Sequence, residues 1–308
     1  MSVMLIRRLR EIAGSLAARA PLVRRLRAER DAAMAACDAA LGSRTALIGA
    51  LVRASEPGAF FRAVLNGAAV WLPRDTLRTM VHCVHLGPDN NSLLLYVEVQ
   101  HLEWMIHHLG AGGTFLDVGA ATGATTLPIA IRKGASVSVI AYEPARRSRQ
   151  LLLDTLAKND VNDVEVRSVA VSDAASQADF CEMPFDDTDA VPYMPEMSSL
   201  SAPHVAKAAT ATYTVTVTTL DDDMASRTLR EPIVAKIDVE GFEVHVLRGA
   251  AKLIERHRPY LSIDIHRAPF GTGETTEGDC RAILGRWGYS FENMGHVLLC
   301  SPVTTSGQ

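Results

Sequence analysis

The chain has 308 residues, 48% of them hydrophobic and 21% charged, with a formal net charge of −4. This length and composition exclude wholesale disorder and allow one large domain with an appendage, or two small ones. The acidic balance excludes a nucleic-acid binder that relies on bulk positive charge.

Residues 1–58 read as a helical N-terminal extension. The run "MLIRRLREIAGSLAARAPLVRRLRAERDAAMAACDAAL" is rich in Ala, Leu and Arg, and Leu5, Leu9, Ile12 and Leu16 recur at helical spacing. It carries eight arginines against four acids, and Pro21 should split it into two helices. Arginines interrupt every apolar stretch, which argues against a secretory signal. Three roles stay open: packing on the domain or on a partner such as a second copy, a peripheral membrane contact, or an amphipathic targeting sequence. No apolar run approaches the roughly 18 residues of a transmembrane helix. The five cysteines (Cys37, Cys83, Cys181, Cys280, Cys300) are scattered without a CxxC pair. They fit reduced thiols in a cytoplasmic compartment, with no disulfide framework or structural zinc site. "HCVH" at 82–85 reads as a short strand rather than a ligand cluster.

Residues 59–308 read as one α/β domain. "TFLDVGA" (114–120) is an apolar strand entering a small-residue turn, and "TTLPIAIRKGA" is the helix after it, with Pro128 in its first turns. "SVSVIAYEP" (136–144) and "VEVRSVAVSD" (164–173) are further strands, separated by a helix over 145–161. An irregular insert follows, "FCEMPFDDTDAVPYMPEMSSLSAPHVAKAAT". Beyond it come the alternating strand "YTVTVTTL" (213–220), a strand over 233–239, a helix from about 242 and the strand "YLSIDIH" (260–266). A helix in "EGDCRAILGRWGY" and a hairpin in "SFENMGHVLLCS" close the chain. Strands alternating with helices imply a Rossmann-like, doubly wound and mostly parallel sheet, with an antiparallel hairpin at its edge.

Ligands of such sheets bind beyond the carboxyl ends of the strands. In "DVGAATG", Gly119 and Gly123 permit a tight turn and close backbone approach, and Ala120 and Ala121 add little bulk. Asp117 could accept hydrogen bonds from an ammonium group. Glu143, twenty positions after Gly123, could accept both hydroxyls of a ribose. The G-x-G-x-x-G pattern of dinucleotide sites fails, because its second and third glycine positions hold Ala121 and Ala124. A phosphate-free nucleoside cofactor carrying an amino-acid group, S-adenosylmethionine, suits this turn better.

The pieces "FLDVGAATG", "AYEP", "VAVSD", "SSL", "TTLDD", "KIDVEGFEVHVLRGA" and "RPYLSIDIH" cover about residues 98–266. Together they resemble the FkbM-type family of S-adenosylmethionine-dependent methyltransferases. The resemblance implies a class I methyltransferase fold with Pro144 and Ala170 beside the cofactor. It also implies O-methylation of a hydroxyl on a saccharide, glycoconjugate or secondary metabolite. Two departures stand out: Ala121-Thr122 replace the family's usual Asn-Ile, and Asp264 replaces its usual Glu. A non-catalytic cofactor-binding or scaffold protein, and a nicotinamide-dependent oxidoreductase, are the competing readings.

The catalytic candidates cluster where the later strands end. Strand periodicity puts Lys236, Asp238 and Glu240 on one side, and Asp264 and His266 on one side of the next strand. Asp238, Glu240, His266 and Asp264 are therefore the expected catalytic set, with Asp238 also beside the cofactor. His245 ranks second, and Glu243 reads as a first-turn helix acid. Carboxylates could hold a divalent cation, but the spacing does not demand one, and no metal ligands are assigned.

Overall fold

The computed structural model describes residues 49–303, apart from 51, 53, 81–82, 87–92, 183–199, 201–210 and 267–276. The expected helices up to residue 48, and Ser198 and Ser199 of "SSL", lie outside the described residues. The described residues from Val52 onward form one compact unit.

The unit begins with β1 (Phe60–Leu65), β2 (Ala68–Pro73), α1 (Arg74–Thr79), β3 (Val84–Leu86) and β4 (Leu93–Leu95). These strands make a separate four-stranded sheet in the order β2-β1-β4-β3. Next come α2 (Val99–Leu109), β5 (Gly113–Val118), α3 (Thr126–Lys133), β6 (Val137–Tyr142), α4 (Arg146–Lys158) and β7 (Val164–Arg167). Three strands, β8 (Ala170–Val171), β9 (Ser176–Glu182) and β10 (Ala211–Thr218), form a second small sheet in the order β8-β10-β9. The chain then returns to the central sheet through α5 (Leu220–Met224), β11 (Ile233–Ile237), α6 (Glu243–Arg248), α7 (Ala251–His257) and β12 (Tyr260–Asp264). It ends with α8 (Glu277–Gly285), β13 (Tyr289–Met294) and β14 (Val297–Pro302).

The central sheet has the order β13-β14-β12-β11-β5-β6-β7. Strands β7, β6, β5, β11 and β12 pair in parallel, and β14 runs antiparallel to both β12 and β13. This is the Rossmann-like sheet expected from the sequence, with its antiparallel member from the closing hairpin. All six residues of β5 are buried, as a central parallel strand covered on both faces requires. Alternate residues serve opposite faces. Phe115 packs with Leu102, Met105 and Leu109 of α2, whereas Leu116 and Val118 pack with Val244, Leu247 and Ile254 of α6 and α7. Each such large apolar side chain, fully buried, contributes about 2–3 kcal/mol from area removed from water.

Two expectations are refined. "VEVRSVAVSD" is not one strand but two, since β7 belongs to the central sheet and β8 to the small one. "YTVTVTTL" is a strand, but it pairs with β8 and β9 outside the central sheet. Its burial alternates, which suits a sheet solvated on one face rather than a doubly covered strand. Part of the supposedly irregular insert is regular too, for Phe180, Cys181 and Glu182 end β9. The small sheet is fastened to the start of α4: Tyr213 Oη accepts the Arg146 N–H at 2.9 Å and donates to Glu182 at 2.7 Å. Glu182 also accepts the Arg147 N–H at 2.7 Å.

Candidate active site

The strand order reverses at β5, with β6 on one side and β11 on the other, and a cleft opens where these three strands end. Gly119, Ala121, Glu143 and Pro144 line one part of it, and Asp238, Val239, Glu240 and Phe242 another. The small sheet supplies Ala170, Val171 and Phe180, with Leu200 of the "SSL" motif beside them.

The turn after β5 is shaped by its neighbours as much as by any ligand. Gly119 has φ +87°, and a Cβ there would lie 1.8 Å from the Asp238 carbonyl oxygen. Only glycine lets the end of β11 approach so closely. At Gly123, φ +93°, a Cβ would meet Leu152 Cδ1 at 2.6 Å. Between them Ala121 sits in left-handed backbone at φ +46°. Its N–H donates to Glu143 Oε2 at 2.7 Å, and the Ala145 N–H donates to Glu143 Oε1 at 2.7 Å. Burial pushes the Glu143 carboxyl up to about 7, against the lowering effect of these two bonds.

Asp117 is fully buried behind this wall and accepts the Thr126 hydroxyl hydrogen at 2.5 Å. Its Oδ1 has no hydrogen-bond partner among the described residues, and burial raises its pKa. Ala120 is buried as well. Asp117, Ala120 and Gly123 thus stand in the second layer of the turn rather than on the cleft surface, which Gly119, Ala121, Glu143, Pro144 and Ala170 share.

The other side is a chain of charges. Lys236 pairs across the ladder with Asp117 and donates to Asp238 Oδ2 at 2.5 Å. Burial alone would lift the Asp238 carboxyl, but the Lys236 ammonium outweighs it and holds the pKa below the usual range. His266 Nε2 lies 3.2 Å from Glu240 Oε1 and 3.8 Å from Asp238 Oδ1. Its Nδ1 meets Glu243 Oε1 at 2.9 Å. Burial would lower the imidazole, yet its bonds to Glu240 and Glu243 raise it to about 11, so it is an imidazolium at neutral pH. Glu243 is fully buried at the start of α6 and also accepts the Gly241 N–H at 3.0 Å. Burial followed by the Asp238 charge pushes Asp264 up to about 7, and burial raises Glu240.

The four catalytic candidates therefore stand together, though Asp238 and Glu240 face the cleft while Asp264 and His266 lie behind them. His245 turns to Asp173 at 2.8 Å instead. Sequence reasoning missed Glu98, whose carboxylate is 3.9 Å from Lys236, and His296, 3.4 Å from Asp264. It also gave Glu243 no part in holding His266. Glu98 and Glu240 both have left-handed backbone, at φ +48° and +53°, and such strain gathers at functional sites.

A seven-stranded sheet with one antiparallel member, opening at its switch point onto a buried acid after the second parallel strand, is the architecture of a Rossmann-like class I methyltransferase. The profile of the methyltransferase FkbM domain matches residues 117–291, more than half of the chain. The chain belongs to the FkbM methyltransferase family. Among solved structures it is similar to methyltransferase FkbM from Methylobacillus flagellatus KT, at 19% identity over 62% of this chain and 44% of that one, with a TM-score of 0.42. It thus covers less than half the length of that protein. It is also similar to Aeropyrum pernix fibrillarin with natively bound S-adenosyl-L-methionine, at 13% identity over 62% of this chain and 66% of that one, with a TM-score of 0.35. No curated protein matches the chain.

Proposed function

We propose that this methyltransferase uses S-adenosylmethionine to methylate a hydroxyl group of a saccharide, glycoconjugate or secondary metabolite. The observation that carries the reading is the meeting of two unlike carboxylates, Glu143 and Asp238, across one cleft. The cofactor, when bound, supplies an electrophilic methyl group. Glu143 fits its ribose, because each oxygen spends one lone pair on a backbone N–H and keeps another for a hydroxyl. Asp117, buried behind the turn and bonded to Thr126, supports the turn and does not itself reach the cleft.

Asp238 takes the hydrogen of the acceptor hydroxyl and orients its oxygen for in-line attack. Lys236 keeps this carboxylate ionised, and a weakly basic group suffices because the hydroxyl proton becomes strongly acidic as its oxygen is alkylated. His266, charged, does not compete as the base; it braces Glu240 and Glu243 around the site. Phe180 and Leu200 give the cleft an apolar wall from the insert, where acceptor selection belongs. Equilibrium binding of methyl-labelled S-adenosylmethionine to the full chain, then label transfer to a panel of saccharides, phenols, amines and carboxylic acids, tests this. Stoichiometric binding and alkali-stable label on hydroxyl compounds are expected. Absence of binding refutes the cofactor, and transfer to amines or carboxylates alone refutes the acceptor class.

A further inference from the structure

We propose that Glu98, Asp264 and His296 form a binding site for a divalent transition-metal cation, with His101 as the adjoining imidazole. The three ligands come from three elements: the residue before α2, the end of β12 and the turn between β13 and β14. One ligand atom from each lies within 4.8 Å of the others. The backbone fixes His296 there, since the Ile265 N–H donates to its carbonyl at 3.1 Å.

Two buried polar atoms at this corner lack partners among the described residues. Asp264, 6% exposed, directs Oδ2 to His296 and leaves Oδ1 unbonded. His101, 8% exposed, stands one turn into α2 with its ring 6.2 Å from that of His296. Its Nε2 is 3.2 Å from the Met294 carbonyl, which can only accept, so Nε2 carries the hydrogen. In a neutral ring the bare lone pair is then on Nδ1, the second unpartnered atom. His101 thus leaves a bare nitrogen beside the trio, while the converging ligand atoms are those of Glu98, Asp264 and His296. Glu98 is held in left-handed backbone although its side chain makes no capping bond to α2.

Charge points the same way. Among the described residues the two cations nearest this corner, Lys236 and His266, are bonded to Asp238, Glu240 and Glu243. Lys236 is 3.9 Å from Glu98 but 2.5 Å from Asp238, so its charge is committed to the latter. The neighbouring trio Asp238, Asp264 and His266 meets the same distance criterion, yet Asp238 and His266 already hold Lys236, Glu240 and Glu243. Two carboxylates with imidazole nitrogen suit Mn²⁺ or Zn²⁺ better than Mg²⁺ or Ca²⁺, which prefer oxygen alone.

This claim concerns cation binding and does not rest on the methyl-transfer reading. The full chain, stripped with chelator, is titrated with Mn²⁺ by electron paramagnetic resonance and with Zn²⁺ by calorimetry. One Mn²⁺ per chain, displaced by Zn²⁺, is expected. Glu98→Gln and His296→Gln should each weaken binding at least tenfold, whereas Asp173→Asn leaves it unchanged. His296 has a side chain 65% exposed, so its replacement does not threaten the fold. Failure of both ions to bind, or equal affinity in wild type and both ligand variants, overturns the proposal.

Discussion

At the end of β6 a single buried carboxylate, Glu143, rests on two neutral backbone donors, and burial lifts it to about 7. At the ends of β11 and β12, across the same cleft, Asp238, Glu240 and Glu243 are strung between Lys236 and His266. In the proposed reading, the difference separates holding the cofactor from receiving the acceptor's proton. A carboxylate on neutral donors keeps lone pairs for uncharged hydroxyls. A carboxylate against an ammonium stays ionised and fixed in direction, ready to receive a proton.

Breaking the junction of the two sides should have the largest effect. Gly119→Ala would set a Cβ 1.8 Å from the Asp238 carbonyl, in backbone that alanine resists. A loss of about 3–4 kcal/mol of stability, or failure to fold, is expected by chemical denaturation. Stability within about 1 kcal/mol of wild type would show that the two sides do not depend on this contact. The reacting side is addressed next. Asp238→Asn keeps the shape and removes the charge, so turnover per folded molecule should fall roughly a hundredfold. Turnover at the wild-type rate would make the Lys236–Asp238 pair structural only.

The smallest expected effect sharpens the electrostatic contrast through pH. His266 has a folded pKa near 11 against 6.5 for the ordinary imidazole, so the folded state holds the extra proton between those values. Its stabilisation is complete below about pH 6.5 and is lost as pH rises towards 11. Thermal unfolding from pH 7 to 10 should therefore show wild type losing about 2 kcal/mol more than His266→Gln, after allowance for solvent screening. Parallel pH profiles would mean that the imidazolium does not brace Glu240 and Glu243.

The sequence made the centre of the sheet legible and its edges less so. "TFLDVGA" and "KIDVEGFE" carry apolar runs that end in turn-forming glycines, and both strands lie where that pattern put them, paired with each other. The short strand read at "HCVH" is met by β3 over Val84–Leu86, but β4, of three residues, is too brief to show a period, and β1 and β2 went unread with it. The alternation of "YTVTVTTL" did signal a half-solvated strand, but not which sheet it joins, because pairing is set by contacts remote in sequence. The site divides in the same way. Asp238, Glu240, Asp264 and His266 were visible because each ends an apolar strand or follows one within a few residues. Glu98 and His296 were not, since they sit 138 residues before Lys236 and 32 residues after Asp264 and meet them only through the fold. Nor could sequence tell that Asp117 would turn inward to Thr126.

The division of labour between the two sides is tested most directly by calorimetric titration of S-adenosylmethionine into three proteins: wild type, Glu143→Ala and Asp238→Asn. Glu143→Ala should lose roughly 2–3 kcal/mol of binding free energy, the scale of charge-assisted hydrogen bonds, while Asp238→Asn should bind within a few-fold of wild type. Unchanged affinity in Glu143→Ala, or an equal loss in both variants, would contradict that division.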